Sequence, residues 1–127
     1  MSRRKIIIPS ESPGGLNAAP CEHFGQCPVF TAVTVEENAI SSVDVIPNSH
    51  VGCRNCFDPI KYLWERGMSA LLVYKLAVFP LRILDTLGIS VFRINTAASV
   101  QEAVEAYLQG QLKVFTPGDT CSGECEL

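Results

Sequence analysis

Two cysteines and a histidine near the middle of this 127-residue sequence have the spacing of a metal site. In the segment His50-x-x-Cys53-x-x-Cys56, the donors are close enough along the chain to reach one metal ion. A helix predicted to begin just after Cys56 would lower the pKa of both thiols, because a helix amino terminus stabilises negative charge. We interpret Cys53 and Cys56 as primary thiolate ligands and His50 as a nitrogen ligand.

Two further groups of soft donors occur, Cys21-x-His23 with Cys27 in a loop and Cys121 with Cys125 near the carboxyl terminus. Thiolate and imidazole donors suit iron–sulfur clusters, copper(I) and zinc, so the donor types do not select one metal. Structural alternatives stay open for these groups. Cys21 and Cys27 could be small apolar residues at a loop–strand junction. Cys121 and Cys125 could be an exposed pair that oxidises.

The Cys53–Cys56 pair also permits two functions other than cluster binding. It could be a thiol–disulfide pair in a redox or regulatory protein, although Arg54 and Asn55 differ from the usual residues between thioredoxin-like cysteines. Alternatively, the cysteines could bind zinc and stabilise an interaction module, in which case metal-binding energy would become folding energy.

Composition and motifs exclude several classes of protein. Residues 1–118 carry ten basic and ten acidic side chains without a clustered basic face, so nucleic-acid binding is not expected. No phosphate-binding glycine loop, nucleophile elbow or paired-carboxylate pattern occurs, and we expect no enzymatic activity. A hydrophobic content of 47% is incompatible with a disordered chain.

Targeting and membrane signals are also missing from the sequence. The apolar run Ile6–Ile8 stops at Pro9, well short of a signal peptide, and the stretch Met68–Leu81 is too short and interrupted to span a bilayer. We therefore expect a cytoplasmic protein with no membrane contact. In that reducing compartment, metal binding or redox chemistry is favoured over structural disulfides.

Hydrophobic patterning and turn residues predict eight elements in the order β-β-β-α-β-α-β-α. A polar turn at Glu36–Asn38 joins the second and third strands as an antiparallel hairpin. The helices are predicted from Asp58 as amino-terminal cap with Pro59 in the first position, from Pro80, and from the Ser99-x-x-Glu102 capping box. The predicted strands are Lys5–Pro9, Val29–Val35, Ala39–Ile46, Ala70–Tyr74 and Ile89–Ile94, with a short strand-like piece at Leu112–Phe115.

This order predicts one α/β domain, a mixed sheet covered by helices. The domain spans residues 1–116, and residues 117–127 form an acidic tail that contains cysteines. In the first helix Ile60, Leu63 and Trp64 fall on one face.

Four segments carry a resemblance to a known family: the opening KIIIPSES, the EHFG signature at Glu22–Gly25, Pro80 followed by a helix and Gly88-Ile89, and the helix Val100–Gly110. On these segments the chain resembles the dinitrogenase iron–molybdenum cofactor biosynthesis family, of the NifX/NifB C-terminal type. The resemblance implies a ribonuclease H-like domain. It also implies a non-catalytic carrier of an iron- or molybdenum-containing sulfur cluster, with donor and acceptor proteins as partners.

The resemblance further implies roles for particular residues. The family's signature histidine matches His23, and HVGCRNC and CSGEC stand where relatives carry histidine- or cysteine-rich patches. Cys121 and Cys125 would then fold over the cluster as a lid. The chain departs from the family at Tyr74–Ala77, where relatives have a glycine-containing turn. Lys75 could pair there with an anionic cluster, or it could mark a member with a different ligand. Glu22 and Lys75 are candidates for residues that contact the ligands. The sequence leaves open whether two copies of the chain form a homodimer and share one site.

Overall fold

The computed structural model describes residues 3–22, 24, 27–48, 57–76, 78–94 and 97–116. Over these ranges the chain forms a single α/β domain with a mixed sheet and three helices, which confirms the predicted class. The elements are β1 (Arg3–Ser10), β2 (Val29–Glu36), β3 (Ala39–Pro47), α1 (Phe57–Glu65), β4 (Met68–Val73), α2 (Val78–Thr86), β5 (Ser90–Arg93), α3 (Val100–Leu108) and β6 (Lys113–Val114). Among the described helices, none is long and apolar enough to cross a membrane.

The strand order across the sheet is β3-β2-β1-β4-β5-β6. β1, β4 and β5 pair in parallel, whereas β2, β3 and β6 are antiparallel to their neighbours. The last residues of β1, β3, β4 and β5 therefore lie together, at what we call the carboxyl end of the sheet. The opposite side, the amino end, holds the first residues of β1 and β4 and the last residues of β2 and β6.

The predicted hairpin between β2 and β3 is confirmed. Its two turn residues, Glu37 and Asn38, have φ angles of 54° and 68°. Positive φ at both central residues is what a type I′ turn requires, and this turn matches the twist of the strands it connects. The hairpin fixes the register so that Val29, at the start of β2, lies opposite Pro47, at the end of β3.

Alternate side chains of the central strands enter two separate hydrophobic cores. Ile7 packs in the first core, between the sheet and helices α1 and α2, while Ile6 and Ile8 pack in the second, beneath α3. All three isoleucines are fully buried. β1 is therefore covered on both faces, as a continuous apolar run in a parallel pair predicts, and each such side chain stabilises the fold by about 1.5–3 kcal/mol.

The first two helices each begin before the predicted residue. α1 starts at Phe57 and α2 at Val78, so Pro59 and Pro80 are the third residues of their helices and not the first. A proline is tolerated there because the first four backbone N–H groups of a helix have no intrahelical acceptor.

Two of the three apolar residues on one face of α1 belong to the first core. Ile60 and Leu63 are fully buried, but the Trp64 side chain is 46% exposed. The buried stripe of this short helix is narrow, and the large indole extends past its margin into solvent.

The amino terminus of α3 is capped both locally and by a distant loop. The Ser99 side chain accepts a hydrogen bond from the Glu102 backbone N–H at 3.2 Å, as the capping box predicts. The N–H groups of Val100 and Gln101 donate to the carbonyls of Ala18 and Leu16, in the loop after β1. α3 therefore holds that loop against the second core.

Replacing Ser99 with Ala should lower the free energy of unfolding by about 0.5–2 kcal/mol, because the Glu102 N–H loses its acceptor. Urea denaturation monitored by circular dichroism measures the change. Ser99→Thr, which keeps a hydroxyl acceptor, is the control and should stay close to the parent protein. Equal losses in both variants would contradict the capping role.

Candidate functional site

Three loops that carry or flank the predicted donors open at the carboxyl end of the sheet. The loop after β1 contains Cys21, Glu22 and Cys27, the segment after β3 begins at Asn48, and Lys75 follows β4. These loops start at the same end of the sheet because β1, β3 and β4 run in the same direction. What the side chains add is a set of contacts between loops.

Buried hydroxyl groups secure the base of the loop after β1. Ser10 and Thr31 lie 2.8 Å apart, oxygen to oxygen, and both are fully buried. Ser10 donates its hydroxyl proton to the Ile8 carbonyl at 2.8 Å, which leaves the Thr31 hydroxyl as the donor between them. Thr31 in turn accepts from the Gly15 N–H at 3.1 Å. Each hydroxyl is satisfied, so the loop has one defined position over the sheet.

The next stretch of this loop returns to β1. The Cys21 N–H donates to the Pro9 carbonyl at 2.7 Å, and a single bridge pairs Ser10 with Pro20. These bonds extend the sheet by one short step at its carboxyl end. The Cys21 side chain is partly buried and packs against the first core.

Cys27 lies inside the first core. Its side chain is fully buried, and its thiol donates to the Phe24 carbonyl at 3.3 Å. Burial, and then the nearby Cys21, raise the pKa of the Cys27 thiol to about 12. Full burial in an apolar core, with the thiol proton held by a backbone carbonyl, is the environment of a small structural residue, so it favours the structural interpretation of Cys27.

Asn48 joins the loop after β1 to the segment that carries the predicted cysteine ligands. Its side-chain nitrogen donates to the Cys27 carbonyl at 2.8 Å, and its backbone N–H donates to the Pro28 carbonyl at 3.0 Å. The residue is buried. No local sequence pattern marks Asn48, because its partners Cys27 and Pro28 are about twenty residues away along the chain.

A third contact links the loop after β4 to the loop after β1. Lys75 Nζ lies 3.9 Å from a carboxylate oxygen of Glu22, and both side chains are more than half exposed. An ion pair this open adds little stability. It does place one positive and one negative side chain at the carboxyl end of the sheet.

Six predicted ligands lie outside the described residues: His23, His50, Cys53, Cys56, Cys121 and Cys125. Within the ranges that the structure describes, no three His, Cys, Asp or Glu side chains come together as a metal site. The flanking residues are described, however, and they fix where each segment starts. Phe115 donates its N–H to the Val91 carbonyl, so the tail leaves from the amino end of the sheet.

A sequence model for the family described as "Dinitrogenase iron-molybdenum cofactor" matches residues 4–110. An uncharacterized protein of Methanocaldococcus jannaschii is 28% identical over 116 residues, which cover 87% of this chain and 91% of that protein.

Solved structures with the same fold include the apo form of the orange protein from Desulfovibrio gigas. It has a TM-score of 0.77 and 21% identity, with 88% of this chain and 92% of that chain covered. A Thermotoga protein with a provisional NifB assignment has a TM-score of 0.74 and 22% identity, with 89% and 97% covered.

The pKa of Cys27 predicts how stability depends on pH. The folded chain keeps this thiol neutral to about pH 12, whereas the unfolded chain ionises it near the ordinary value of 9.0. The neutral Cys27 thiol therefore contributes fully to the free energy of unfolding below pH 9. Between pH 9 and 12 this contribution falls by up to about 1.4 kcal/mol for each pH unit.

The matched variant Cys27→Ala lacks this ionisation. We expect the stability difference between the parent protein and Cys27→Ala to shrink as the pH rises above 9, because only the parent loses the contribution. Urea unfolding below and above pH 9 measures it. A difference that stays constant across this range would contradict the raised pKa.

Proposed function

Because the chain belongs to the dinitrogenase iron–molybdenum cofactor family, we propose that it binds and carries an iron- or molybdenum-containing metal–sulfur cluster during cofactor assembly. The cluster is cargo, received from a donor protein and passed to an acceptor, and the chain carries it without catalysing a reaction. The strand order supports the ribonuclease H-like topology expected for such a carrier.

The observation that carries this proposal is the joining of loops at the carboxyl end of the sheet. Asn48 holds the start of segment 49–56 within hydrogen-bond distance of the loop that contains His23. The Glu22–Lys75 pair brings the loop after β4 to the same place. Donor groups that are far apart in sequence therefore start from neighbouring anchors.

We assign Cys53 and Cys56 as the thiolate ligands, with His50 and His23 as nitrogen donors. Segment 49–56 runs from Asn48 to the first residue of α1, so both of its ends are fixed. On the other loop, the buried ring of Phe24 packs on Phe30 with centroids 5.6 Å apart. This contact fixes the backbone next to His23.

The remaining donors have supporting roles in the proposal. Cys27 secures the loop as a neutral buried thiol, and Cys21, at the margin of the first core, is the better additional ligand of the two. Lys75 supplies positive charge beside the site. Thiolate-ligated clusters are commonly anionic, so an ammonium group that can leave the exposed Glu22 pair would help to hold the cargo.

The cysteines of the tail suit a lid more than a primary ligand set. Cys121 and Cys125 are five and nine residues beyond Thr116, which limits their reach to about 17 and 31 Å. The carboxyl end of the sheet is about 13 Å away along β5 and a further 10 Å across two strands. Cys125 reaches it easily, whereas Cys121 does so only with the tail fully extended.

The first test is reconstitution of the anaerobically purified protein with iron, sulfide and molybdate. We expect metal and acid-labile sulfide together with a visible charge-transfer band. Cys53→Ser with Cys56→Ser should reduce bound cluster by at least about tenfold. The control Cys121→Ser with Cys125→Ser removes the same number of thiols and should retain most of it.

Two outcomes would overturn the carrier proposal. A colourless protein with stoichiometric zinc and a chelator-sensitive melting temperature would identify a zinc-stabilised module. A metal-free protein that fails reconstitution and shows a reversible two-electron titration of Cys53 and Cys56 would identify a thiol–disulfide switch.

Asn48→Ala should make a loaded protein release its cluster faster to a chelator, because the ligand segment loses its anchor to the Cys27 carbonyl. Loss of this buried hydrogen bond should also reduce the stability of the apo protein by about 1–3 kcal/mol. The control is Asn17→Ala at an exposed position. Unchanged release in Asn48→Ala, with the stability loss present, would show that the contact serves only folding.

A further inference from the structure

A polar cavity of about 400 Å³ lies at the amino end of the sheet, opposite the candidate cluster site. The floor of the cavity is one face of β1, β2 and β3. Toward the carboxyl end of the sheet, α1 and α2 cover this same face. α1 ends at Glu65, and the turn Arg66–Gly67 that follows it forms one wall. The sheet face is left open here and carries polar side chains.

The cavity concentrates positive charge in a chain whose net charge is −3. Arg3, Lys5 and Arg66 line it, opposed by the single carboxylate of Glu36. Glu36 is paired with Arg3 at 3.2 Å and also accepts from the Ser41 hydroxyl. Within the described part of the chain, neither Lys5 nor Arg66 has a carboxylate within ion-pair distance.

Contacts with neutral groups hold these two unneutralised cations in place. Lys5 Nζ donates to the Arg66 carbonyl at 2.9 Å, which ties β1 to the turn. The Arg66 guanidinium lies 3.6 Å from the centroid of the Tyr62 ring and donates to the Tyr62 carbonyl at 3.3 Å. The cations are therefore positioned without losing their charge, and donors remain for a ligand.

Two irregularities of the sheet bring extra hydroxyl groups into the same cavity. Thr34 pairs with Ser42 and Val35 with Ile40, so Ser41 is an additional residue in β3. These shifts place Ser41 and Ser42 side by side at the cavity, although neighbours in a regular strand point to opposite faces.

β4 has a similar irregularity. Lys5 pairs with Met68 and Ile6 with Ala70, which leaves Ser69 as the additional residue, and it also lines the cavity. Bulges are common next to functional sites, where they redirect side chains. Here both additional residues are serines, and they converge on one basic pocket.

We propose that this cavity binds a tetrahedral oxyanion with two negative charges, either free or as the phosphate group of a small ester. Ammonium, guanidinium and several hydroxyl donors on a concave surface match the charge and the multiple acceptor oxygens of such an anion. A net local charge of about +2 balances a dianion. The site is separate from the proposed cluster site, since β4 alone places about 20 Å between the two ends of the sheet.

Isothermal titration calorimetry in a buffer free of oxyanions tests the proposal, with phosphate, sulfate, molybdate and glycerol phosphate as separate titrants. We expect saturable one-to-one binding of at least one titrant, tighter than about 1 mM. Lys5→Met and Arg66→Gln should each weaken it by about tenfold or more, the usual effect of losing a charged hydrogen bond. Glu36→Gln should strengthen it, because the opposing carboxylate is removed.

The controls are Lys113→Met and Arg82→Gln, which make the same charge changes at exposed positions outside the cavity. Each should change affinity by less than about twofold. Preference for glycerol phosphate over phosphate would identify an ester, and preference for the inorganic anions a free oxyanion. Absence of saturable binding, equal weakening in cavity and control variants, or weaker binding in Glu36→Gln would overturn the proposal. Because no cluster is needed, failure here leaves the carrier proposal untouched.

Discussion

The parallel pairing of β1 with β4 is the constraint on which the rest of the molecule depends. Beyond their first residues both strands are buried on both faces, and Ile7 and Leu71 lie opposite each other in that pairing with no exposed surface. A parallel pair requires a crossover, so its loops are sorted to defined ends of the sheet. The directions of the outer strands follow from this pair. β2 is antiparallel to β1 on one side, and β5 is parallel to β4 on the other. The meeting of the loops after β1, β3 and β4 is therefore a consequence of topology.

Topology brings the loops together, but buried polar contacts give them one position. Ser10 with Thr31 fixes the base of the loop after β1, and Asn48 ties the end of β3 to that loop. Such groups are costly to bury unless every donor and acceptor is paired, so a paired set selects one arrangement. Paired polar contacts of this kind give the loops of a small domain a rigid base. Cys21 and Cys27 lie in the loop at the carboxyl end, whereas the unneutralised cations Lys5 and Arg66 lie at the amino end.

The sequence predicted what depends on neighbouring residues. The Glu37–Asn38 turn, the Ser99–Glu102 cap and the buried isoleucines of β1 all follow from local propensity or periodicity, and the structure contains each of them. It did not predict contacts between distant positions, such as that of Asn48 with Cys27, nor the bulges that reorient Ser41 and Ser69. The exposure of Trp64 also could not be predicted. Helical periodicity gives the direction in which a side chain points, but not how far the neighbouring elements extend to cover it. For the candidate site, the sequence shows which donor types are present. It does not show the contacts that hold the loops in place, such as Ser10 with Thr31 and Asn48 with Cys27.

In the proposed function the cargo binds at the carboxyl end of the sheet. The most direct measurement compares amide proton–nitrogen spectra of the apo and cluster-loaded protein, recorded without oxygen. We expect the shifts and the paramagnetic broadening to be largest at Cys21, Cys27, Asn48 and Lys75, whose positions surround the proposed site. The amides of Glu36 and Gly67, at the amino end, should be almost unchanged. If the largest changes occur at the amino end, or if changes are spread evenly over the sheet in a fully loaded sample, the cargo does not bind at the carboxyl end.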